Sequence, residues 1–166
     1  ISNKKSYSWS FINSGFNLRP TDISASIGNS QIKKLKNIIK IRQENFKLIR
    51  NVLLEDKNFL DKFDIIEGDS NNSIVWFGIP IILKSTKKKY KKKVTNKLNK
   101  LGIDTRPLIS GNFAKQPAIK LYKLKINNDL KNADFIDRNS FFIGLHNTKT
   151  SMKSAMYIKK ALYASL

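Results

Sequence analysis

The sequence predicts an α+β fold, with helices on one face of a small, mostly antiparallel sheet and long linking helices before it. Three observations lead there. Apolar residues between 32 and 53 recur at helical spacing, residues beyond 56 shift to short β-like runs, and the later segments read in the order helix, strand, strand, helix. The chain has 166 residues, enough for one domain with a flanking segment and a buried core.

Taken in order, residues 1–20 are polar with interspersed aromatics (Tyr7, Trp9, Phe11, Phe16) and read as extended or loop structure. A helix is predicted next, with Thr21 offering a side-chain oxygen to the first turn and Asp22 suiting the positive end of the dipole. Ile32, Leu35, Ile39, Phe46, Ile49 and Leu53 share one helical face, which Ile38, Ile41 and Leu48 widen. Gly28, Asn29 and Ser30 are poor helix-interior residues, so a break is expected there between a short helix and a long one. Residues 63–67 and 74–83, joined by the turn-rich 68–72, read as a hairpin, with Pro80 expected at an edge or a bulge because it cannot donate to a ladder. Residues 85–101 form an amphipathic helix through Tyr90, Val94, Leu98 and Leu101, with Gly102 as its C-cap. There follow a strand at 103–106, a loop at 107–117, a polar region, a strand at 140–143 and a last helix from Ser151 carrying Met152, Ala155, Ile158 and Leu162. This divides the chain into an interface loop with linking helices over residues 1–56 and a small α+β domain over 57–166.

Composition limits the functional classes. There are 32 Lys+Arg against 12 Asp+Glu, a net charge of +20, and no cysteine, which excludes disulfides, thiolate metal sites and cysteine nucleophiles. Only Arg19, Arg42, Arg50, Arg106 and Arg138 are arginines; the excess is lysine, the profile of a solvated surface more than of a base-reading footprint, so nucleic acid is not the expected partner. The longest apolar run, residues 74–83, is broken by Gly78 and Pro80 and is too short to cross a membrane. A soluble, cytoplasmic protein is expected, and since the chain starts at Ile1 with no Met and no signal-peptide pattern, it reads as a fragment of a longer one.

Chemistry-bearing groups are few. No pair of carboxylates, phosphate loop or serine elbow stands out. The single histidine, His146, follows a predicted strand, although a lone histidine is more often structural. The run Lys87-Lys88-Lys89-Tyr90-Lys91-Lys92-Lys93 suits a polyanion, or else a solvated helix face with Tyr90 turned inward. Two loop segments are harder to account for by packing. In one, Asn17 and Arg19 precede a helix, where an amide and a guanidinium together can hold a phosphate. In the other, Arg106 and Asn112 flank a stiff turn after a strand; capping and turn chemistry is the plain alternative for both.

Together these segments carry a resemblance. Residues 15–35, GFNLRPTDISASIGNSQIKKL, resemble a signature of the pyridoxal-phosphate-dependent sugar aminotransferases of the DegT/DnrJ/StrS type. Residues 102–116, GIDTRPLISGNFAKQ, and 132–147, NADFIDRNSFFIGLHN, look more like the branch containing nucleotide-sugar 3-dehydratases acting on 4-keto-6-deoxyhexoses. The histidine-containing pattern usual in the family's ordinary aminotransferases is missing near the first of these. The resemblance implies the small C-terminal domain of an aspartate-aminotransferase-like (fold type I) enzyme, with the large cofactor domain upstream. It implies pyridoxal 5'-phosphate or pyridoxamine 5'-phosphate as cofactor, and a homodimer whose Asn17 and Arg19 reach the cofactor phosphate of the neighbouring subunit. Arg106, Asn112 and His146 match substrate-side positions of the dehydratase branch. The cofactor lysine, or the histidine that replaces it in that branch, would lie upstream, so this chain alone is expected to be inactive. 3-Dehydration is favoured over transamination. The competing readings are a lysine-rich polyanion-binding module and a scaffold relic that dimerises through its long helix.

Overall fold

The computed structural model describes residues 15, 21–69, 73–85, 90–127 and 129–166. Four strands, β1 (Phe63–Ile65), β2 (Gly78–Leu83), β3 (Thr105–Pro107) and β4 (Ser140–Gly144), form one antiparallel sheet in the order β1-β2-β4-β3. The helices are α1 (Asp22–Ile32), α2 (Leu35–Leu54), the single turn α3 (Phe59–Lys62), α4 (Tyr90–Lys100), α5 (Lys131–Asn139) and α6 (Met152–Ser165). Strand alternation places Phe63, Ile65, Ile79, Ile81, Leu83, Phe141 and Ile143 on one face. There they form the core with Ile49, Val52 and Leu53 of α2, Val94 and Leu98 of α4, and Ala155, Ala161 and Leu162 of α6. The α+β expectation of helices on one face of an antiparallel sheet thus describes the molecule.

Several local expectations differ. Thr21 has helical dihedrals and makes no side-chain capping bond; its hydroxyl donates to Asp22 instead. Helix α1 runs through Gly28, Asn29 and Ser30, where Ser30 Oγ bonds back to the Ile27 carbonyl, and the break falls at Lys33 and Lys34. The propensity penalty of those residues, about 1 kcal/mol for a glycine, is too small to end a helix by itself. The buried line of α2 is Ile41, Asn45, Ile49, Val52 and Leu53, while Ile32 and Leu35 are exposed. The stripe is therefore rotated toward Ile41 and includes an asparagine that apolar periodicity passes over.

Pro80 lies in an interior strand, between β1 and β4, opposite Phe142. Its carbonyl accepts from the Ile66 amide, one residue past the end of β1. The missing N–H faces the same side, toward the end of β1 and away from β4, so the proline removes at most one bond at the end of that ladder and leaves the pairing with β4 intact. Gly78 is required for a different reason: a Cβ there would lie 2.4 Å from Phe142 Cδ2 and 2.6 Å from the Ile143 carbonyl oxygen. Gly78→Ala should destabilise the fold by about 1–3 kcal/mol, the usual range for an overpacked core. A urea midpoint unchanged from the native protein would show that β2 and β4 can separate to admit the methyl.

Gly102, at φ 77°, ends α4 as expected, and the Ile103 amide reaches back to the Leu98 carbonyl. Ser151 caps α6 by accepting from the Ser154 amide. Met152 is exposed, and Ala155, Ala161 and Leu162 form the buried face of that helix. The polar region before β4 contains α5, whose amphipathic pattern over nine residues was too short to read. Among the described residues no helix is long and apolar enough to cross a membrane.

Candidate functional site

Asn17 and Arg19 lie outside the described residues. The other three candidates are all attached to the β3–β4 pair. Thr105 stands opposite Ile143 and Pro107 opposite Phe141, so the chain leaving Pro107 passes the end of β4 that starts at Ser140, whereas His146 follows the other end. At about 3.3 Å per residue, Phe141 and His146 are roughly 16 Å apart along the strand direction. Asn112 and His146 are therefore at opposite ends of the pair. Arg106 is between them, on the sheet face away from the core, beside Phe142, and its guanidinium is 3.6 Å from the Asp104 carboxylate.

The Asn112 end is tightly organised. Asn112 is 5% exposed, its Oδ1 accepts from the Ala114 amide at 3.1 Å, and its Nδ2 donates to Asp134 Oδ1 at 2.5 Å. Asp134, on α5, also takes the Lys115 ammonium at 2.5 Å and faces the Arg138 guanidinium at 4.0 Å. Its pKa is held below the usual carboxylate range, first by the Lys115 hydrogen bond and then by the one from Asn112. Asn112 thus acts as a braced, mostly covered turn residue, with its carbonyl oxygen and one amide hydrogen already engaged.

The His146 end is held by a residue that apolar periodicity could not find. Asn45, 2% exposed in the middle of α2, donates from Nδ2 to the carbonyls of His146 at 3.1 Å and Thr148 at 2.8 Å. Its Oδ1 accepts from the Thr150 amide at 2.7 Å. One side chain therefore closes three backbone bonds of the loop between β4 and α6. Arg42, one turn earlier, donates to Asn147 Oδ1 at 2.9 Å and lies 5.5 Å from the centre of the Phe77 ring. The only sequence signal for this clamp was a polar residue in line with Ile41 and Ile49 at four-residue spacing. His146 is exposed and lines a groove of about 1100 Å³ together with Asp104, Lys149, Lys153 and Tyr157.

The lysine run is partly tied down. Lys91, whose pKa is lowered chiefly by burial, donates to the Asp137 carbonyl in the last turn of α5. Lys93 donates to the Leu166 carbonyl at 2.7 Å and lies 5.6 Å from the centre of the Tyr90 ring, and the Tyr90 hydroxyl also bonds to Leu166. Residues 86–89 are outside the described set. Lys91 and Lys93 thus tie α4 to its neighbours instead of standing free in solvent, while Tyr90 packs against the core as expected. Among the described residues no group of three histidine, aspartate or glutamate side chains could hold a metal ion.

The profile of the DegT/DnrJ/EryC1/StrS aminotransferase family matches residues 1–162. A GDP-4-keto-6-deoxy-D-mannose 3-dehydratase of Escherichia coli O55:H7 is 33% identical over 146 residues, covering 84% of this chain and 34% of the relative. The lipopolysaccharide biosynthesis protein RfbH of Salmonella typhimurium is 29% identical over 140 residues, covering 84% of this chain and 29% of the relative. The solved structure of an E. coli GDP-4-keto-6-deoxy-D-mannose 3-dehydratase with bound hydrated PLP superposes with a TM-score of 0.73 at 29% identity. It covers 95% of this chain and 39% of the solved one. The chain spans about a third of the length of the curated relatives it matches.

Proposed function

We propose, since this chain belongs to the DegT/DnrJ/EryC1/StrS aminotransferase family, that it is the C-terminal part of a pyridoxal-phosphate- or pyridoxamine-phosphate-dependent enzyme acting on a nucleotide-linked 4-keto-6-deoxy sugar. The reaction favoured is 3-dehydration, and the setting is cytoplasmic deoxysugar or surface polysaccharide synthesis. The observation that carries this reading is the match of most of the chain to a protein named for that dehydration. Transamination of a sugar nucleotide is the alternative within the same family.

In this reading residues 1–56 are the interface loop and linking helices, and residues 57–166 the small domain. Helix α1 supports it: none of its residues is buried, and Ile23 and Ile27, one turn apart on one face, are exposed where a larger body of protein would cover them. The donor chemistry of Asn17 and Arg19 fits a phosphate, with an amide and a planar guanidinium that can each donate to its oxygens. Those two residues would hold the cofactor phosphate of the neighbouring subunit in a homodimer with shared active sites. The cofactor, when bound, would supply an electron sink for chemistry at the keto sugar. Arg106 and His146 would contribute cationic or hydrogen-bonding contacts to the nucleotide sugar, and Asn112 would shape the turn beside it.

The test is to express the chain with the reading frame upstream of Ile1 and supply GDP-4-keto-6-deoxy-D-mannose. Loss of the sugar 3-hydroxyl supports dehydration. Formation of an amino sugar from an amino donor would select the alternative, and failure to bind the cofactor or convert the sugar would overturn both.

A further inference from the structure

The turn after β3 contains a backbone feature that packing does not explain. Ile109 has φ 51°, a left-handed conformation that a β-branched residue rarely adopts, yet its side chain is 71% exposed and gains no burial there. Strain of this kind persists only where surrounding contacts over-determine it, and it concentrates at functional sites. The contacts are present. The Gly111 amide bonds to the Leu108 carbonyl at 3.1 Å, and Gln116 Nε2 donates to the Ser110 carbonyl at 3.0 Å. Gly111, at φ 63°, approaches α5 so closely that a Cβ would lie 2.0 Å from Asp137 Oδ1. Asn112 is clamped between the Ala114 amide and Asp134.

Of these contacts the Asp134 carboxylate is the branch point. It orients the Asn112 amide, takes the Lys115 ammonium from the far side of the turn, and sits on α5, which runs directly into β4. We propose that Asp134 is a positioning residue: by fixing Asn112 it holds residues 108–113 in the strained form that presents Ile109 to the nucleotide sugar. Asp134 touches neither substrate nor cofactor and acts through Asn112. The assignment rests on the functional reading above, because it supposes that the turn borders the sugar-nucleotide site.

The experiment compares Asp134→Ala and Asp134→Asn in the intact enzyme. Asp134→Asn keeps an oxygen that can accept from Asn112, whereas Asp134→Ala removes it. A hydrogen bond to a charged group corresponds to about a tenfold effect. Asp134→Ala should therefore raise KM for GDP-4-keto-6-deoxy-D-mannose by about tenfold, with cofactor content unchanged and kcat much less affected. It should also speed tryptic cleavage after Lys115, and Asp134→Asn should restore most of the KM. An unchanged KM in Asp134→Ala overturns the assignment, even if cleavage after Lys115 accelerates. Equal losses in the two variants overturn the route through the Asn112 hydrogen bond. If the unsubstituted enzyme does not act on this sugar, the functional reading fails first and the positioning role falls with it, a result distinct from normal turnover by the alanine variant.

Discussion

Asn45→Ala should lower the stability of the fold by about 2–4 kcal/mol and release the loop between β4 and α6. The side chain is 2% exposed and serves the backbones of His146, Thr148 and Thr150. Alanine leaves two carbonyls and one amide without their partner, and each such group costs about 1–3 kcal/mol if water does not replace it. Carbonyls near the surface recover part of that from solvent, which keeps the total below the simple sum. Asn45→Asp should be at least as harmful, because a carboxylate can accept from Thr150 but opposes both carbonyls and is a charge without a partner in a buried position. Urea denaturation measures the first effect, and hydrogen exchange at the Thr150 amide the second. A loss under about 1 kcal/mol with Thr150 still protected would mean that the loop is held by its other contacts, such as Arg42 with Asn147.

The second large effect concerns the cofactor. Replacing both Asn17 and Arg19 by alanine in the intact enzyme should reduce cofactor retention by about 100-fold or more. Hydrogen bonds to a charged group contribute about 1.5–3 kcal/mol each, and every 1.4 kcal/mol is tenfold in affinity. The arginine should account for the larger share, since its charge and planar fork both suit a phosphate dianion. Cofactor content after gel filtration reports the result directly. Full occupancy in the double variant would remove both residues from the phosphate site and leave the signature around them as helix-start chemistry.

The two ends of the β3–β4 pair were legible to different degrees. Arg106, Asn112 and His146 could be singled out as polar groups next to predicted strands, because loops at strand ends are where such groups collect. Their spatial relation could not. It depends on the antiparallel register of β3 with β4, which puts Asn112 beyond one end and His146 beyond the other. The residues that hold those two ends, Asp134 and Asn45, were not singled out either. Asn112 lies 22 residues from Asp134, and the partners of Asn45 lie 101 to 105 residues away, and no local pattern marks such pairs.

Local chemistry controls one set of elements, and these were readable from composition and spacing: the C-cap at Gly102, the start of the last helix at Ser151, the amphipathic face of Tyr90, Val94 and Leu98, and the α+β order of helices and strands. Each depends on interactions within about one turn, so composition and spacing are sufficient. Contacts between distant segments set the other features. Pro80 sits inside a sheet because its missing N–H points to the end of β1 and not to β4, and the buried face of α2 turned toward Ile41 and Asn45 because the loop after β4 takes three hydrogen bonds from it. The strained turn at Ile109 follows the same rule, with Asn112 held by Asp134 of α5. Local preferences of about 1 kcal/mol are overridden when contacts between distant segments exceed them.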